Sequence, residues 1–447
     1  MTLASRRLYG LGAIILAALV TGSRCGVGTP SFLICLAIAS IAYLLAIREF
    51  FRTPRFSGQV IFTCLALAAL WRIPFLLMPP GPDDDIHRYL WDGRVQRLGY
   101  NPYTVTPADP ALAGLHTPET RGLNHPELPS PYPAGAQLFF RAVTAIHESI
   151  FAFKIAFVVC DIAIVALLLH ILRRSGQEEH WILAYAWHPL LATDVAGSGH
   201  IDIVGVLLLL ASAAALGRRW RMIAVIAFAL AVAVKFLPIV LTPLYWRRVR
   251  VRDASLAALV FALLYVPFLK YGRMPIGSLS TYVKSFRFND PVFSALERVA
   301  SPQIVAGLAV LVGLLIAAWL LSKAPVRDTG NDKWAWPMAA SLALAPVVYP
   351  WYLLWLLPFL RSTSTLPLMV WTLSILPTYL VWHLRSLGRT WQLPAWVLLL
   401  EYGSVAVAAA IVSLRRRARP GVPNPSEEAL PAGYARDTGA NKETLGD

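Results

Sequence analysis

The sequence predicts an all-α polytopic membrane protein, and three observations lead to that fold class. Apolar runs of roughly 15–22 residues, long enough to cross a bilayer as a helix, recur along the 447-residue chain. Hydrophobic residues make up 57% of the chain and charged residues only 15%, with a mean hydropathy of +0.57. The basic residues come in short clusters at the ends of the apolar runs. We therefore expect a bundle of about 11–14 transmembrane segments, some of them re-entrant half-helices.

The charge and the cysteines exclude other classes of partner. The formal net charge of +15 does not indicate a nucleic-acid partner, because the basic residues flank apolar runs instead of lining one groove. Cys25, Cys35, Cys64 and Cys160 are scattered and form no Cys-x-x-Cys pair. This spacing indicates neither a zinc site nor a disulfide framework, and the cysteines are expected to be small packing residues.

The first three predicted spans set the orientation of the chain. They cover residues 9–21, 31–47 and 58–78. Arg6 and Arg7 precede the first span, and Arg48, Arg52 and Arg55 follow the second. Placing these arginines in the cytoplasm puts the long polar segment at residues 79–150 outside.

The stretch at residues 81–103, GPDDDIHRYLWDGRVQRLGYNPY, is polar although it lies between apolar segments. Pro82 is placed where a helix would begin, with three aspartates in its first turn, and Gly99 is placed to end it. On that helix one face carries acid, base and aromatic side chains together, namely Asp85, Arg88, Tyr89, Asp92 and Gln96. Such a face indicates a functional surface. The alternative is that the aspartates only complement the helix dipole.

The next segments include an interfacial helix and one ordinary span. Residues 134–150 are apolar enough for a span, but a span here would export Arg173 and Arg174, so we expect an interfacial or re-entrant helix. Residues 151–172 cross the membrane, and within them Lys154 and Asp161 lie on one face and can pair.

Later apolar runs predict further spans and two broken hairpins. Residues 222–246 carry arginines at both ends, which favours two half-length helices that meet near Lys235 and Pro238. Residues 334–358 repeat this pattern, with residues 349–352 at the bend. Ordinary spans are predicted at residues 181–196, 201–216, 254–269, 304–322, 366–384 and 394–413. Residues 1–414 therefore form the transmembrane domain, and residues 415–447 form a disordered cytoplasmic tail.

Four polar clusters share the outer face in this topology: residues 83–103, 125–137 and 197–202, and Lys235. Singly each has an ordinary explanation, because His200 can be an interfacial histidine, Lys235 can snorkel, and Trp91 and Tyr103 can be interfacial aromatics. Their common placement favours a functional site.

An enzyme that faces outward has no access to cytoplasmic nucleotide sugars, so a lipid-linked sugar is the expected donor. Its phosphate is already a good leaving group, and the reaction needs one carboxylate to deprotonate the attacking hydroxyl and positive charge for the departing phosphate. We predict Asp85, or Asp84 if the register shifts, as the base. Arg88, Lys235 and His200 are the predicted phosphate ligands. The predicted sugar and acceptor ligands are Tyr89, Trp91, Asp92, Tyr103, Tyr132 and Asp202. No cofactor is required, although Asp83 and Asp85 can hold a divalent metal ion.

Five segments resemble the GT-C superfamily of membrane glycosyltransferases. They read DDDIHRYLWDGRVQRLGYNPY, HPELPSPYPAGAQLFF, GSGHIDIVGVLLLL, VKFLPIVLTPL and YPWYLLWLLPFL. The resemblance covers roughly residues 58–360 in order. The chain is most similar to bacterial polyprenyl-phosphate-mannose-dependent mannosyltransferases, and more remotely to the first mannosyltransferase of GPI-anchor synthesis. PYPAGAQ departs from the usual pattern, which is closer to YPPLAQ.

The resemblance implies a GT-C-like bundle with an essential acidic motif in its first large outer loop, here residues 83–85. It also implies inverting transfer of a sugar, with mannose as the expected sugar, to a glycan or glycolipid acceptor. The preference for arginine over lysine, with abundant Ala, Leu and Pro, indicates a GC-rich bacterial genome. The expected location is the bacterial inner membrane. Two alternatives remain at this stage. The broken helices with Lys154, Asp161, Asp194 and Lys235 are compatible with a secondary transporter, and the outer loop is compatible with a non-catalytic assembly partner.

Overall fold

The all-α class is confirmed by the structure. The computed structural model describes residues 2–81, 84–269, 275–323 and 332–418, so Asp83 lies outside the described residues. In those ranges the chain forms seventeen α-helices with shorter 3-10 and π-helical segments, and its one β-type pairing is an isolated parallel bridge between Phe288 and Val347.

The first three helices are the predicted spans. They are α1 (Leu3–Gly22), α2 (Pro30–Arg52) and α3 (Gly58–Leu77). The hydroxyls of Thr2, Thr29 and Ser57 each accept a hydrogen bond from a backbone N–H in the first turn of the following helix. These N-caps explain where the helices begin.

Helix α4 (Ile86–Arg97) begins later than the sequence predicts. Asp84 lies in the irregular segment before it, and Asp85 is its N-cap residue, so neither fills the first turn. The predicted end is confirmed. Gly99 has φ +89°, and the N–H groups of Gly99 and Tyr100 bond to the carbonyls of Gln96 and Val95, which is a Schellman motif.

The segment predicted as an interfacial or re-entrant helix is a separate short element. Helix α5 (Ala134–Ile146) has 13 residues and packs against α4, while α6 (Ile150–Arg174) is a full span of 25 residues. Within the bundle Lys154 and Asp161 do not pair, contrary to the prediction. The Lys154 ammonium donates to the carbonyls of Phe75, Leu76 and Met78 at the end of α3.

The segment predicted as a span at residues 181–196 is broken. It consists of α7 (Ile182–Ala186) and a π-helix (Leu191–Gly197), separated around Pro189, because proline cannot continue the helical hydrogen bonds. The following α8 (Asp202–Gly217) makes an angle of 113° with the π-helix. The predicted break near Lys235 is confirmed, since α9 (Arg221–Val234) ends there and a 3-10 helix (Leu237–Tyr245) follows.

The remaining helices are α10 (Val251–Tyr265), α11 (Leu279–Ser285), α12 (Pro291–Leu296), α13 (Pro302–Lys323), α14 (Asp332–Ala343), α15 (Leu366–Ser374), α16 (Leu380–Ser386) and α17 (Ala395–Ala418). Helices α11 and α12 lie between the predicted spans at residues 254–269 and 304–322, where no helix was predicted. The second predicted hairpin is present as α14 followed by 3-10 helices at Pro350–Trp355 and Leu357–Phe359. Helix α17 continues past residue 414, and the rest of the predicted tail lies outside the described residues.

The chain is an integral multi-pass membrane protein. Across the described ranges, eight helices are long and apolar enough to cross a membrane, or nine if the bent pair formed by the π-helix and α8 counts as one span. This number is below the predicted 11–14 because several of the predicted segments are half-length helices, such as α9.

Candidate active site

Three breaks in helical structure bring the central residues together. Asp85 precedes α4, His200 lies in the bend between the π-helix and α8, and Lys235 lies in the bend after α9. Gly199 makes the second bend with φ +75°, and a side chain there would also meet Ile86 at the start of α4. Asp85, His200 and Lys235 are far apart in sequence, and they meet because each lies at a helix end or a bend.

Lys235 and Asp202 form a charged pair at this site. The ammonium lies 2.6 Å from Asp202 Oδ1, and Trp355 Nε1 donates to the same oxygen at 2.7 Å. The Asp202 side chain is 1% exposed, whereas that of Lys235 is 26% exposed. Gly205 permits this arrangement, since a Cβ there would collide with the Trp355 indole.

An aromatic ring from the C-terminal half of the chain packs against the ammonium of Lys235. Its Nζ lies 3.5 Å from the centroid of the Tyr352 ring, a cation–π contact. The hydroxyl of Tyr352 is 2.6 Å from that of Tyr282. Residues of the second broken hairpin and of α11 thus complete a site whose charged side chains come from residues 85–235.

His200 is held by stacking and not by hydrogen bonds. Its ring lies 3.9 Å from that of Trp351 at an angle of 8°, and Trp351 stacks in turn on Tyr349 at 4.4 Å. The side chain is 1% exposed, and within the described part of the chain neither ring nitrogen has a hydrogen-bond partner. Nδ1 lies 3.9 Å from Asp85 Oδ2, which is beyond hydrogen-bond range.

Asp85 turns away from its own helix. As the N-cap residue it would ordinarily accept a hydrogen bond from the first turn, but it makes no side-chain cap. Its carboxylate instead interacts with the side chains of Tyr132 and Asn124. Burial raises the pKa of Asp85, although the Tyr132 hydrogen bond and the charge of Lys235 act in the opposite direction. The alternative that Asp85 only complements the helix dipole therefore does not explain its contacts.

Tyr89 and Tyr132 form the aromatic wall beside Asp85. Tyr89 is fully buried and stacks on Phe140 at 4.4 Å, and its hydroxyl accepts a bond of 3.5 Å from the N–H of Ile201. The rings of Tyr89 and Tyr132 lie 5.1 Å apart, edge to face. These two predicted ligands therefore lie beside Asp85, and Tyr132 forms a hydrogen bond with its carboxylate.

Asp84 belongs to a neighbouring acidic group. Its carboxylate accepts a hydrogen bond of 2.6 Å from the Gly81 N–H and one from the Ser198 hydroxyl. Burial raises the pKa of Asp84 to about 7, and the charges of Asp85 and Asp194 add to this. The carboxylate of Asp194 is bonded in turn by Tyr379 and Thr193.

Arg88 and Asp92 lie in a separate buried network. Arg88 Nε is 2.9 Å from Asp92 Oδ1, and another guanidinium nitrogen donates to the carbonyl of Leu128 at 2.9 Å. Gln137 donates to Asp92 Oδ2 at 2.8 Å and is bonded by Gln96. This network ties α4 to α5 and to the loop that carries Asn124 and Tyr132, and the structure does not bring Arg88 or Asp92 into contact with Lys235.

Trp91 and Tyr103 lie in small hydrophobic clusters. The Trp91 ring stacks on that of His116 at 4.1 Å, in a cluster with Val95, Leu112 and Leu123. Tyr103 packs against Phe268, and its hydroxyl donates to the carbonyl of Tyr132 at 2.7 Å. Both side chains are thereby occupied in packing.

Several residues without a predicted role lie in the site in the structure. They are Asn124, Tyr282, Trp351, Tyr352 and Trp355. Trp351, Tyr352 and Trp355 lie in the broken hairpin at residues 334–358, and that hairpin was the sequence feature that could have indicated them. It repeats the pattern of the hairpin that carries Lys235. In the described ranges no group of three or more His, Cys, Asp or Glu side chains is arranged to hold a metal ion by itself.

Comparison with known proteins assigns the chain to a family. A family model described as alpha-(1->6)-mannopyranosyltransferase, N-terminal domain, matches residues 8–249, more than half of the chain. The chain belongs to this family. Neither the curated proteins nor the solved structures gave a match.

The mannosyltransferase carries the charged residues of the site inside the matched region and the aromatic residue that contacts Lys235 outside it. Asp85, His200, Asp202 and Lys235 all precede residue 249, whereas Tyr352 and the other added aromatic residues follow it. A mannosyltransferase needs a group that takes a proton and groups that bind a leaving group, and the site offers a carboxylate, an imidazole and an ammonium. The family match leaves the transporter alternative without support.

Proposed function

We propose that this mannosyltransferase moves mannose from a polyprenyl-phosphate donor to a glycan or glycolipid acceptor, with Asp85 as the general base. The observation that carries the proposal is the meeting of Asp85, His200 and Lys235 at three helix breaks. A carboxylate and an ammonium in one partly exposed site match the two requirements of a transfer from a sugar phosphate.

The reaction is a single displacement at the anomeric carbon. The acceptor hydroxyl oxygen bonds to C1 of mannose, the bond from C1 to the phosphate oxygen breaks, and its electron pair remains on the phosphate. The hydroxyl proton passes to Asp85. The family description supports an α-(1→6) product, and inversion then requires a β-linked donor.

Lys235 and His200 are assigned to the phosphate. The ammonium of Lys235 is oriented by Asp202 and Tyr352 and still has 26% of its side chain exposed. His200 presents ring nitrogens that no described side chain occupies at hydrogen-bond distance. Arg88 is fully engaged by Asp92 and Leu128, so we assign it a positioning role for α4 and the adjoining loop.

The distribution of arginines supports an extracytoplasmic site in the bacterial inner membrane. Arg6 and Arg7 lie at the start of α1, Arg52 ends α2, and Arg173 and Arg174 end α6. The polar segment that contains Asp85 is reached through the opposite end of α3. Under the positive-inside rule this segment lies outside, where a lipid-linked donor is available and nucleotide sugars are not.

The test is a transfer assay with purified protein, radiolabelled mannosyl polyprenyl phosphate and mannosylated glycolipid acceptors. Asp85→Asn should lower the rate by a factor on the order of 100 to 10,000, because the base is lost while the shape is kept. Asp84→Asn should lower it less, since Asp84 belongs to the neighbouring acidic group. Glu127→Gln is the matched control, because Glu127 is an exposed carboxylate of the same loop.

Two results would contradict the proposal. Normal turnover by Asp85→Asn would remove Asp85 from the mechanism. Transfer from a nucleotide-linked mannose at the same rate, with polyprenyl phosphate absent, would remove the lipid-linked donor.

A further inference from the structure

We propose that Glu401 is a positioning residue for mannosyl transfer. In its protonated form it pairs with Asn289, and this pair holds the second broken hairpin against His200 and Lys235. The inference rests on the proposed function, which assigns those two residues to the donor phosphate. Three observations support it: a buried carboxyl group that the reaction does not use, two buried oxygen atoms without a donor, and a continuous series of contacts from Glu401 to the site.

Glu401 is a buried acid inside a helix that is long and apolar enough to cross the membrane. It lies in the span Ala395–Arg415 of α17, and it is 0% exposed. Its Oε1 accepts hydrogen bonds from Trp371 Nε1 at 2.7 Å and from Asn289 Nδ2 at 3.1 Å. Both of these partners are uncharged. An ionised carboxylate with uncharged partners is costly in a bilayer, so the neutral acid is the favoured form.

One proton satisfies two oxygen atoms of this pair. Glu401 Oε2 and Asn289 Oδ1 are both buried, and neither has a hydrogen-bond partner among the described residues. Two acceptors cannot bond to each other, whereas a carboxylic acid and a carboxamide can form two reciprocal hydrogen bonds. The bond from Asn289 Nδ2 to Glu401 Oε1 is the first of these. A proton on Oε2, donated to Asn289 Oδ1, supplies the second and removes the cost of two unsatisfied buried groups.

Asn289 joins this acid to the second broken hairpin. Its Nδ2 also donates to the carbonyl of Val348 at 3.3 Å, and the Val348 N–H donates to the carbonyl of Phe288 at 2.9 Å. The hydroxyl of Tyr402, the residue after Glu401, donates to the Asn289 carbonyl at 3.2 Å. Asn289 has φ +53°, in the left-handed region that residues other than glycine seldom adopt. Bonds to its side chain and to its backbone therefore keep a rarely occupied conformation in place.

Stacked rings continue from this joint to the site. Phe288 stacks on Tyr349 at 4.5 Å, and Tyr349 stacks on Trp351 at 4.4 Å. Trp351 stacks in turn on His200 at 3.9 Å. Tyr349 also packs edge to face on Tyr352 at 5.7 Å, and Tyr352 is the ring beside the site ammonium. Because no hydrogen bond from the described side chains holds the imidazole of His200, its position depends on this stacking.

The variants Glu401→Leu and Glu401→Gln test the pair in the purified full chain. Glu401→Leu leaves Asn289 and Trp371 without their acceptor, so the hairpin should shift and the turnover number should fall by a factor on the order of 10 to 100. Glu401→Gln offers an acceptor oxygen and an N–H donor in the places of the protonated acid, and it should retain most of the turnover. Mannosyl transfer is measured per folded molecule, beside the free energy of unfolding in detergent.

Two further variants separate positioning from folding. Asp253→Leu is the matched control, because Asp253 is another buried carboxylate, whose Oδ2 accepts a hydrogen bond of 3.0 Å from the Arg250 N–H at the start of α10. It should lower stability and leave transfer per folded molecule near that of the wild type. Asn289→Gly removes the carboxamide at a φ that glycine adopts freely, so it replaces Glu401→Leu if that variant does not fold. It should lose turnover to the same extent.

A double-mutant cycle tests whether Glu401 acts through the site. His200→Phe keeps a ring on Trp351 but removes the nitrogen atoms assigned to the phosphate. In that background Glu401→Leu should lower turnover roughly three- to tenfold less than it does in the wild type, whereas in Asp253→Leu its effect should be undiminished. Polyprenyl monophosphate should also inhibit Glu401→Leu more weakly than the wild type, a change that a loss of stability alone does not produce.

The outcomes separate this inference from the proposed function. Full turnover per folded molecule in Glu401→Leu and Asn289→Gly would overturn the inference, and so would equal losses with and without His200→Phe. A Glu401→Gln variant as impaired as Glu401→Leu would overturn the protonated pair. In each of these cases the lipid-linked donor and Asp85 as the base remain. Coupling between Glu401 and His200, in a protein that takes mannose only from a nucleotide donor, supports the positioning role and contradicts the donor assignment.

Discussion

Two buried cation–carboxylate pairs in this molecule have similar distances and different surroundings. Arg72 and Asp161 join α3 to α6, with Nε 2.6 Å from Oδ2 and side chains only 8% and 1% exposed. Lys235 and Asp202 are also 2.6 Å apart, but the Lys235 side chain is 26% exposed. In each pair an aromatic residue donates a second hydrogen bond to the carboxylate, Tyr185 at 2.8 Å and Trp355 at 2.7 Å.

The two pairs differ in how completely hydrogen-bond acceptors surround the cation. Arg72 also donates to the carbonyls of Ala68 and Ala186, so its charge is enclosed by acceptors. Lys235 is fixed on one side by Asp202 and Tyr352 and remains accessible on another, close to Asp85 and to the unpartnered ring of His200. A buried cation that is surrounded by acceptors stabilises the helix bundle. A cation that is held in place but partly exposed can bind a ligand.

Arg72→Met should show the largest effect, and the effect should be on stability. Removing one partner leaves Asp161 as an uncompensated buried charge, which costs on the order of 3–5 kcal/mol. Chemical unfolding in detergent would measure the loss. The double variant Arg72→Met/Asp161→Asn should recover most of it, and mannosyl transfer per folded molecule should stay near that of the wild type. A double variant that stays folded but loses transfer would contradict the claim that the Arg72–Asp161 pair contributes only to stability.

Lys235→Met/Asp202→Asn is the matched change in the other pair, and here transfer should be lost instead. The substitutions keep the site neutral and leave an acceptor for Trp355, so unfolding should change little. Removing the cation that faces the leaving group should lower the turnover number by a factor on the order of 100 to 1,000. Retention of full turnover with normal stability would show that Lys235 is a structural residue like Arg72.

The two pairs also show what the sequence could predict. Arginines at both ends of residues 222–246 require the chain to reverse, so the break at Lys235 followed from length and charge alone. The partner of a buried ion does not follow in this way. Lys154 and Asp161 are seven residues apart on one helix face, but each has a nearer partner on another element, and that depends on how helices pack. Arg88 likewise lies four residues before Asp92, a spacing compatible both with a pair and with an outward-facing cation.

The start of α4 was mispredicted for a related reason. Pro82 and three aspartates form a good helix start by local rules, but the long-range interactions of Asp85 with Tyr132 and Asn124 direct its side chain away from the helix. Aromatic residues after residue 249 were missed because their role depends on facing Lys235, which no local pattern encodes.

The pH dependence of transfer distinguishes the two aspartates. Asp85 must be ionised to accept a proton, so the rate should fall up to tenfold per pH unit as the pH drops below its pKa. Burial raises that pKa, and the acid limb should therefore lie above the ordinary value for aspartate, 3.8. Asp84→Asn should preserve the limb. An acid limb near pH 7 that disappears in Asp84→Asn would instead assign the base to Asp84, whose pKa is raised to about 7.

The smallest effects should come from removing the two aromatic hydrogen-bond donors, Tyr185 and Trp355. These effects test whether the first ion pair contributes to stability and the second to transfer. Tyr185→Phe and Trp355→Phe each delete one hydrogen bond to a buried carboxylate whose ion pair remains. A hydrogen bond to a charged group contributes about 1.5–3 kcal/mol. For Tyr185→Phe that loss should appear in the free energy of unfolding, with transfer unchanged. For Trp355→Phe a freer Asp202 should let Lys235 move, and turnover should fall by roughly tenfold, the equivalent of 1.4 kcal/mol. If both variants lost stability equally and neither lost turnover, Trp355 would be a packing residue, and the orientation of Lys235 would depend on Tyr352 alone.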